Sequence, residues 1–240
     1  MVQETSEIEI VPAIIPESLD DLREKLSRVA RLVPTVHIDI LDGDFTDKPS
    51  WPYSGLSKLE RAESNLQKDF VNLLTQEDGL PFWDSLNFEF HLMVANPIIE
   101  VEHWITAGAM RIMVHYEAVS EEGLVEVINL LNERGVEAGL VLDIETPLEV
   151  VEPFREYISN LQLMAIDRDG FQGQPFDDRV IERVREAREL YPEMQISVDG
   201  GINLENASDI LDAGADRLIV GSALFDSVNI ADTLDTFQSL

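Results

Sequence analysis

The sequence predicts an α/β fold of the closed (β/α)8 kind, a TIM barrel. Three observations carry that expectation. Eight short apolar runs recur along the chain, at EIEIVPAII, TVHIDIL, FEFHLMV, RIMVHYE, EAGLVLDI, LQLMAID, QISVDG and RLIVGSALF. Segments of helical spacing lie between them, so strand and helix alternate throughout. No Ser- or Gly-rich linker divides the chain, which places residues 1–240 in a single barrel domain. The competing arrangement is an open doubly wound sheet, but no G-x-G-x-x-G follows the first run, which weakens a dinucleotide-binding reading.

Each unit has its own justification. After the first run, Leu22, Leu26, Val29, Ala30 and Val33 recur at helical spacing and line one face. The connection between the second and third runs is irregular and long, spanning residues 46–86. It holds a polar entry (TDKPSWPYSG), a predicted helix near 55–74 and a second loop (TQEDGLPFWDSLN). It is read either as a surface elaboration or as a lid or oligomer contact, with Trp51, Tyr53, Phe82 and Trp83 as candidate contact residues. His103 falls on the third helix and is expected at the surface. Ser120 caps a helix whose inner face is Leu124, Ile128 and Leu131, and Gly135 ends it. In the sixth helix Val180, Ile181, Val184 and Ala187 face inward, while Asp177, Glu182, Arg185 and Glu189 face water. Asn203 is expected as the next N-cap, Gly214 as the next stop, and NIADTLDTFQSL as the last helix.

Composition narrows the function classes. Acidic residues outnumber basic ones 47 to 17, a formal charge of −30, which repels nucleic acid and anionic membranes. An acidic chain with lysine only at positions 25, 48, 58 and 68 suits high salt and, equally, plain solubility. There is no cysteine, so disulfides, iron–sulfur clusters and thiolate zinc sites are excluded. No apolar run approaches the length of a membrane span. The first residues, MVQETSEIEI, lack the basic-then-apolar pattern of a secretory signal, so the expected location is cytoplasmic.

In a barrel of this kind chemistry belongs at the C-terminal ends of the strands. His37 and Asp39 sit two apart on the second strand and so share a face, His91 and Met93 do the same on the third, and Asp199 ends the seventh. Two imidazoles and two carboxylates from three strands suit one divalent ion: zinc, iron(II), manganese or cobalt. A lone strand histidine is ordinarily a core residue, but burying Asp39 and Asp199 with neither cation nor donors costs several kcal/mol. His115 on the fourth strand faces the same region, either as a supporting or substrate contact or as a core hydrogen-bonder. Glycine clusters follow three adjacent strands: Gly170-Phe171-Gln172-Gly173, Gly200-Gly201 and Gly221-Ser222. Glycine lets backbone N–H groups approach an anion, and the loops after strands seven and eight are a recurrent phosphate site in this fold.

At these residues the chain resembles the ribulose-phosphate 3-epimerase family, from about residue 9 to 232, through HIDILDGDF, FHLMVANP, AGAMRIMVHYEA, GFQGQPF, ISVDGGI and AGADRLIVGSALF. The resemblance implies a ribulose-phosphate-binding barrel and an isomerase of pentose phosphate metabolism. It implies that His37, Asp39, His91 and Asp199 are metal ligands, with Asp39 and Asp199 also the catalytic acid–base pair. It implies that Gly170 to Gly173, Gly200, Gly201, Gly221 and Ser222 bind phosphate, with His91 and Met93 against the substrate. The expected reaction is epimerisation at carbon 3 of a ketose phosphate, D-ribulose 5-phosphate to D-xylulose 5-phosphate first, through an enediolate. The expected partners are that sugar phosphate and further copies of the chain.

Departures from the family pattern cluster where the sugar should sit. Ala13 and Pro16 replace serines, Thr46, Asp47 and Lys48 replace a Val-Pro-Asn, Asp143-Ile144 and Arg168-Asp169 each replace an Asn-Pro, and Leu41 replaces a methionine. Arg168 is either a surface residue or a replacement phosphate contact. These departures keep two alternatives open: another ketose phosphate such as allulose 6-phosphate, or a non-catalytic sugar-phosphate-binding barrel. A related decarboxylase is disfavoured because the D-x-K-x-x-D pattern is absent around Asp39 and Asp42, and a Schiff-base aldolase because no strand carries a lysine.

Overall fold

The structure is a computed structural model that describes residues 8–57, 59–60, 66–166 and 175–240. Its strands are β1 (Glu9–Ile14), β2 (Thr35–Leu41), β3 (Asn87–Met93), β4 (Arg111–His115), β5 (Glu137–Leu142), β6 (Asn160–Met164), β7 (Gln195–Asp199) and β8 (Arg217–Val220). Each pairs in parallel with the next, and β8 pairs with β1 to close the barrel. Around it lie α1 (Leu19–Val29), α2 (Lys68–Leu74), α3 (Pro97–Ala107), α4 (Glu121–Arg134), α5 (Arg179–Leu190), α6 (Ala207–Asp212), α7 (Ser222–Phe225) and α8 (Ile230–Gln238).

The strands read as near-continuous apolar runs because both faces are buried. Outward-pointing residues such as Ile38, Phe90 and Val198 pack with Leu22, Trp104 and Val184 of the helices in the main core. Inward-pointing residues form two smaller apolar groups, Val11, Ala13 and Ile219 on one side and Met113, Val141, Met164 and Ile166 on another. Gly139 belongs to this interior: a Cβ there would stand 2.1 Å from Met113 Sδ, so the methionine fills the space a side chain would take.

The caps follow the chemistry read from the sequence, with one shift. Ser120 Oγ accepts from the Gly123 N–H (3.3 Å), and Gly135 ends α4 in the left-handed region at φ 71°. The helix start assigned to Asn203 lies three residues later: Asn206 is the N-cap of α6, while Asn203 Oδ1 accepts from the Glu205 N–H (2.8 Å) in the turn before it. The run RLIVGSALF is not one strand. It breaks at Gly221, and Ser222–Phe225 forms the short α7, because a strand that leaves the sheet has no further ladder to pair with. Between β5 and β6 the connection is a 3₁₀ turn (Leu148–Val151) in place of the expected α-helix.

The 46–86 segment is anchored more deeply than a surface loop. Trp51 is fully buried edge-to-face against Phe70 and Trp104, and its indole N–H donates to Asp69 Oδ2 (3.3 Å). Tyr53 is buried and hydrogen-bonds Glu100. Neither is a contact residue on an open surface; Phe82 is half-buried, and Trp83 alone of the four is largely exposed, at 71%. The helix expected near 55–74 is seen as α2 over its C-terminal part; residues 58 and 61–65 lie outside the described residues.

Charge is also buried inside the barrel. Glu89, with no exposure, accepts from Arg111 Nη1 (2.8 Å) and lies 3.1 Å from Arg217 Nη2. Arg217 donates further to Glu9 Oε2 (2.7 Å) and Ser197 Oγ (3.0 Å). Removing one partner of a buried pair leaves the other charge uncompensated. Arg217→Ala should therefore cost about 3–5 kcal/mol of unfolding free energy in urea titrations. Arg134→Ala, which breaks an exposed pair with Glu102, should stay within about 0.5 kcal/mol.

Candidate functional site

The register of three strands builds the site. Pairing sets His37 beside Glu89, Asp39 beside His91 and Leu41 beside Met93 across β2 and β3, so residues two apart on each strand point into the barrel together. Asp199, at the C-terminal end of β7, points into the same space. His37 Nε2 lies 3.4 Å from Asp39 Oδ1 and 3.8 Å from Asp199 Oδ2; His91 Nδ1 lies 3.0 Å from Asp39 Oδ1 and 3.6 Å from Asp199 Oδ2. One donor atom from each of the four residues falls within 4.8 Å of all the others.

Each member is held from behind. His37 Nδ1 is 2.6 Å from Glu89 Oε1, so this nitrogen carries the proton and the opposite one, Nε2, faces the cluster. His37 Nε2 is buried and makes no hydrogen bond. Gln162 Nε2 donates to Asp199 Oδ2 (3.2 Å). His91 Nε2 lies 2.8 Å from His115 Nε2.

These contacts set the charge states. Burial opposes a charge on His37, but the adjoining carboxylates Asp39 and Glu89 outweigh it and raise its pKa to about 10. Burial alone would raise Asp39, yet His37 and His91 pull it down to about 2. Burial likewise works against the Glu89 carboxylate, and Arg217, His37 and Arg111 hold it well below the usual range. For His91 burial prevails over the pull of Asp39, and its pKa falls to about 4. At neutral pH the ion-free cluster thus holds a cationic His37, a neutral His91 and an anionic Asp39.

A narrow cleft open to solvent lies over the cluster. Asp39 and Asp199 lie in its wall together with Ala13, Met93, Met164, Ile219 and the backbone of Gly200, Gly201, Gly221 and Ser222. Gly200 is at φ 109°, and a Cβ there would meet Ile166 Cγ2 at 2.8 Å, so only glycine fits the turn that brings this backbone to the cleft. Among the described lining residues there is no lysine or arginine. The structure thus brings together His37, Asp39, His91, Met93, Asp199, Gly200, Gly201, Gly221 and Ser222. Gly170, Phe171, Gln172, Gly173, Arg168 and Asp169 lie outside the described residues. His103 is half-buried on α3, 3.3 Å from Glu100 Oε2 and away from the cleft.

Sequence reasoning passed over Glu89, Gln162 and Met164. The signal was present: Glu89 stands two before His91, and Gln162 and Met164 two apart on β6, so the strand period places all three on the inner face. What the sequence does not show is the cross-strand pairing that seats Glu89 behind His37.

A closed parallel barrel with titratable residues gathered at the C-terminal ends of its strands is the layout of a TIM-barrel enzyme. Residues 9–225 match the model of the Ribulose-phosphate 3 epimerase family. The chain belongs to this family and is an epimerase. It is 30% identical over 224 residues to the ribulose-phosphate 3-epimerase of Bacillus subtilis (strain 168), spanning 91% of this chain and 92% of that one. It is 28% identical over 217 residues to the Schizosaccharomyces pombe enzyme of the same name, spanning 90% and 86%. Among solved structures it is similar to 3-hexulose-6-phosphate synthase from Salmonella typhimurium (TM-score 0.66, 16% identity, 97% of each chain). It is also similar to KGPDC from Streptococcus mutans (TM-score 0.67, 11% identity, 97% of this chain and 96% of that one). At those identities the likeness is one of fold. No helix among the described residues is long and apolar enough to cross a membrane.

The charge states are directly checkable by nitrogen-detected NMR of the ion-free protein. His37 should keep both ring protons at pH 8, while His91 should stay neutral down to about pH 5. Because the His37 pKa is raised, its contribution to stability is complete below about pH 6.5 and fades as pH climbs toward about 10. A His37 that loses its second proton below pH 7 would contradict this assignment.

Proposed function

We propose that this chain is a metal-dependent 3-epimerase of a ketose phosphate that interconverts D-ribulose 5-phosphate and D-xylulose 5-phosphate. The observation that carries the reading is the meeting of two buried imidazoles with two carboxylates that line one cleft. The donor set fits a divalent ion: two ring nitrogens, two carboxylate oxygens, and in His37 Nε2 a buried atom with no hydrogen bond. His37, Asp39, His91 and Asp199 would hold it, and zinc, iron(II), manganese and cobalt all suit them. When bound, the ion supplies positive charge that stabilises the enediolate oxygens of the substrate.

The chain's own residues do the rest. Inverting carbon 3 requires removing a weakly acidic proton from one face and returning one to the other. Asp39 and Asp199 come from β2 and β7, on different sides of the cleft, and each is ionised or protonated in turn: one takes the proton while the other gives one. Which acts as base depends on the direction of reaction. Gln162 and the two histidines fix the carboxylate orientations, and Met93, Met164 and Ile219 form an apolar wall that keeps water from the carbanionic carbon. The backbone of Gly200, Gly201, Gly221 and Ser222 takes the phosphate, joined in this reading by Gly170 to Gly173. Backbone dipoles suit a protein of charge −30, which must hold an anion with few lysines.

Ala13 lines the cleft where the family pattern has a serine, so sugar specificity is the property most open to change, and allulose 6-phosphate is the second substrate to assay. In the same reading the protein works in the cytoplasm as a homo-oligomer.

Incubated in deuterated solvent with D-ribulose 5-phosphate, the protein should exchange the carbon-3 hydrogen and place deuterium in both epimers. Asp39→Asn and Asp199→Asn should each lower that exchange by about 10²–10⁴-fold. Near-normal turnover in Asp199→Asn would overturn the two-carboxylate mechanism, and no exchange with any of the four ions would favour a binding-only barrel. Titrating zinc into ion-free protein at pH 8 in weak buffer should release about one proton per ion, as His37 gives up its charge on ligation.

A further inference from the structure

His91 presents one nitrogen to the cluster and the other to His115, and the second contact has a consequence for the first. The two Nε2 atoms are 2.8 Å apart, the ring planes differ by 16° and the centroids are 4.9 Å apart. That is an edge-to-edge arrangement in which an N–H of one ring points at the lone pair of the other. Two ring nitrogens this close share a single proton. If His91 Nδ1 is to offer its lone pair to a cation, its proton must sit on Nε2. His115 Nε2 must then accept, which puts the His115 proton on Nδ1.

Without a cation the ionised Asp39 carboxylate, 3.0 Å from His91 Nδ1, draws the proton to that nitrogen; the residues beyond His115 lie where they favour the opposite placement once a cation takes Nδ1. His115 Nδ1 lies 3.1 Å from Asp143 Oδ1 and 3.4 Å from Glu117 Oε2. Glu117 is itself held by the Asp143 N–H (3.1 Å) and the Thr146 hydroxyl. Carboxylates accept and never donate when ionised, so they favour a proton on Nδ1. His115 is fully buried and Phe45 covers its ring, centroid to centroid 5.1 Å, which leaves it little room to turn. We infer that His115, with Asp143 and Glu117 at ion-pair distance from its Nδ1, is a positioning residue that accepts the His91 Nε2 proton when a cation takes Nδ1. The inference rests on the metal-dependent reading above.

The same geometry argues against a second ion. One atom each from His115, Glu117 and Asp143 also falls within 4.8 Å of the other two. A cation there would need the Nδ1 lone pair of His115. The His115 proton would move to Nε2, His91 would have to accept, and its own proton would move to Nδ1, facing the first site. Occupation of one cluster in this way disables the other, and the front cluster offers four protein donors against three.

The test is zinc affinity, measured by competition with a chromophoric chelator, together with ring-nitrogen NMR of the zinc-loaded protein. His115→Leu, which removes the acceptor, should weaken zinc binding by about 10–100-fold. His115→Gln keeps a carbonyl that can accept from His91 and should stay within about threefold. In the unaltered protein the His115 proton should be found on Nδ1. Equal affinity in His115→Leu, a His115 protonated on Nε2, or two zinc ions per chain would each overturn the inference while leaving the front metal site standing. Failure of the unaltered protein to take up zinc would remove the metal centre itself, and this inference with it.

Discussion

The carboxylate of Glu89 sits inside the barrel with no access to water, and the organisation of the mouth follows from how its charge is met. Two arginines, Arg111 and Arg217, and one imidazole, His37, surround it. An isolated carboxylate in that position would be neutralised or would unfold the barrel. Paired as it is, it stays ionised and holds the proton of His37 on the nitrogen that faces away from the cleft. The fold's buried ion network and the site's ligand geometry are therefore one structure: β3 supplies Glu89 to the lower layer and His91 to the upper, two residues apart.

Behind both imidazoles stands a carboxylate, reached by different routes. His37 touches Glu89 directly, whereas His91 reaches Asp143 and Glu117 through His115. Fixing the rear nitrogen is how proteins decide which nitrogen faces a ligand, since a neutral imidazole carries only one proton. Burial does the complementary work. It keeps His91 neutral, while the surrounding carboxylates keep His37 charged until something better takes its place.

The cleft above these residues has two carboxylates among the apolar side chains of its walls, and glycine backbone beside them. A chain carrying 47 acidic residues would repel a sugar phosphate at long range, so attraction has to be local. In the proposed reading the glycines at the ends of β7 and β8 would provide it, and the positive φ of Gly200 is what lets the backbone come close to the cleft.

Much of this was legible in the residues alone. Eight apolar runs, the helical spacing between them and the caps at Ser120 and Gly135 determined the barrel, because period and turn chemistry are local properties. The pairing of histidine and aspartate two apart on β2, and the residue at the end of β7, marked the cluster for the same reason. Other features waited on the tertiary structure. Trp51 and Tyr53 read as open contacts until Phe70, Trp104 and Glu100 were seen to enclose them, and SALF read as strand until the sheet ended at Val220. Above all, only the register across β2, β3, β4 and β5 places Glu89 behind His37 and Asp143 behind His115. Residues 52 and 28 positions apart in the chain meet there because closing the barrel fixes strand against strand, and no local pattern carries that information.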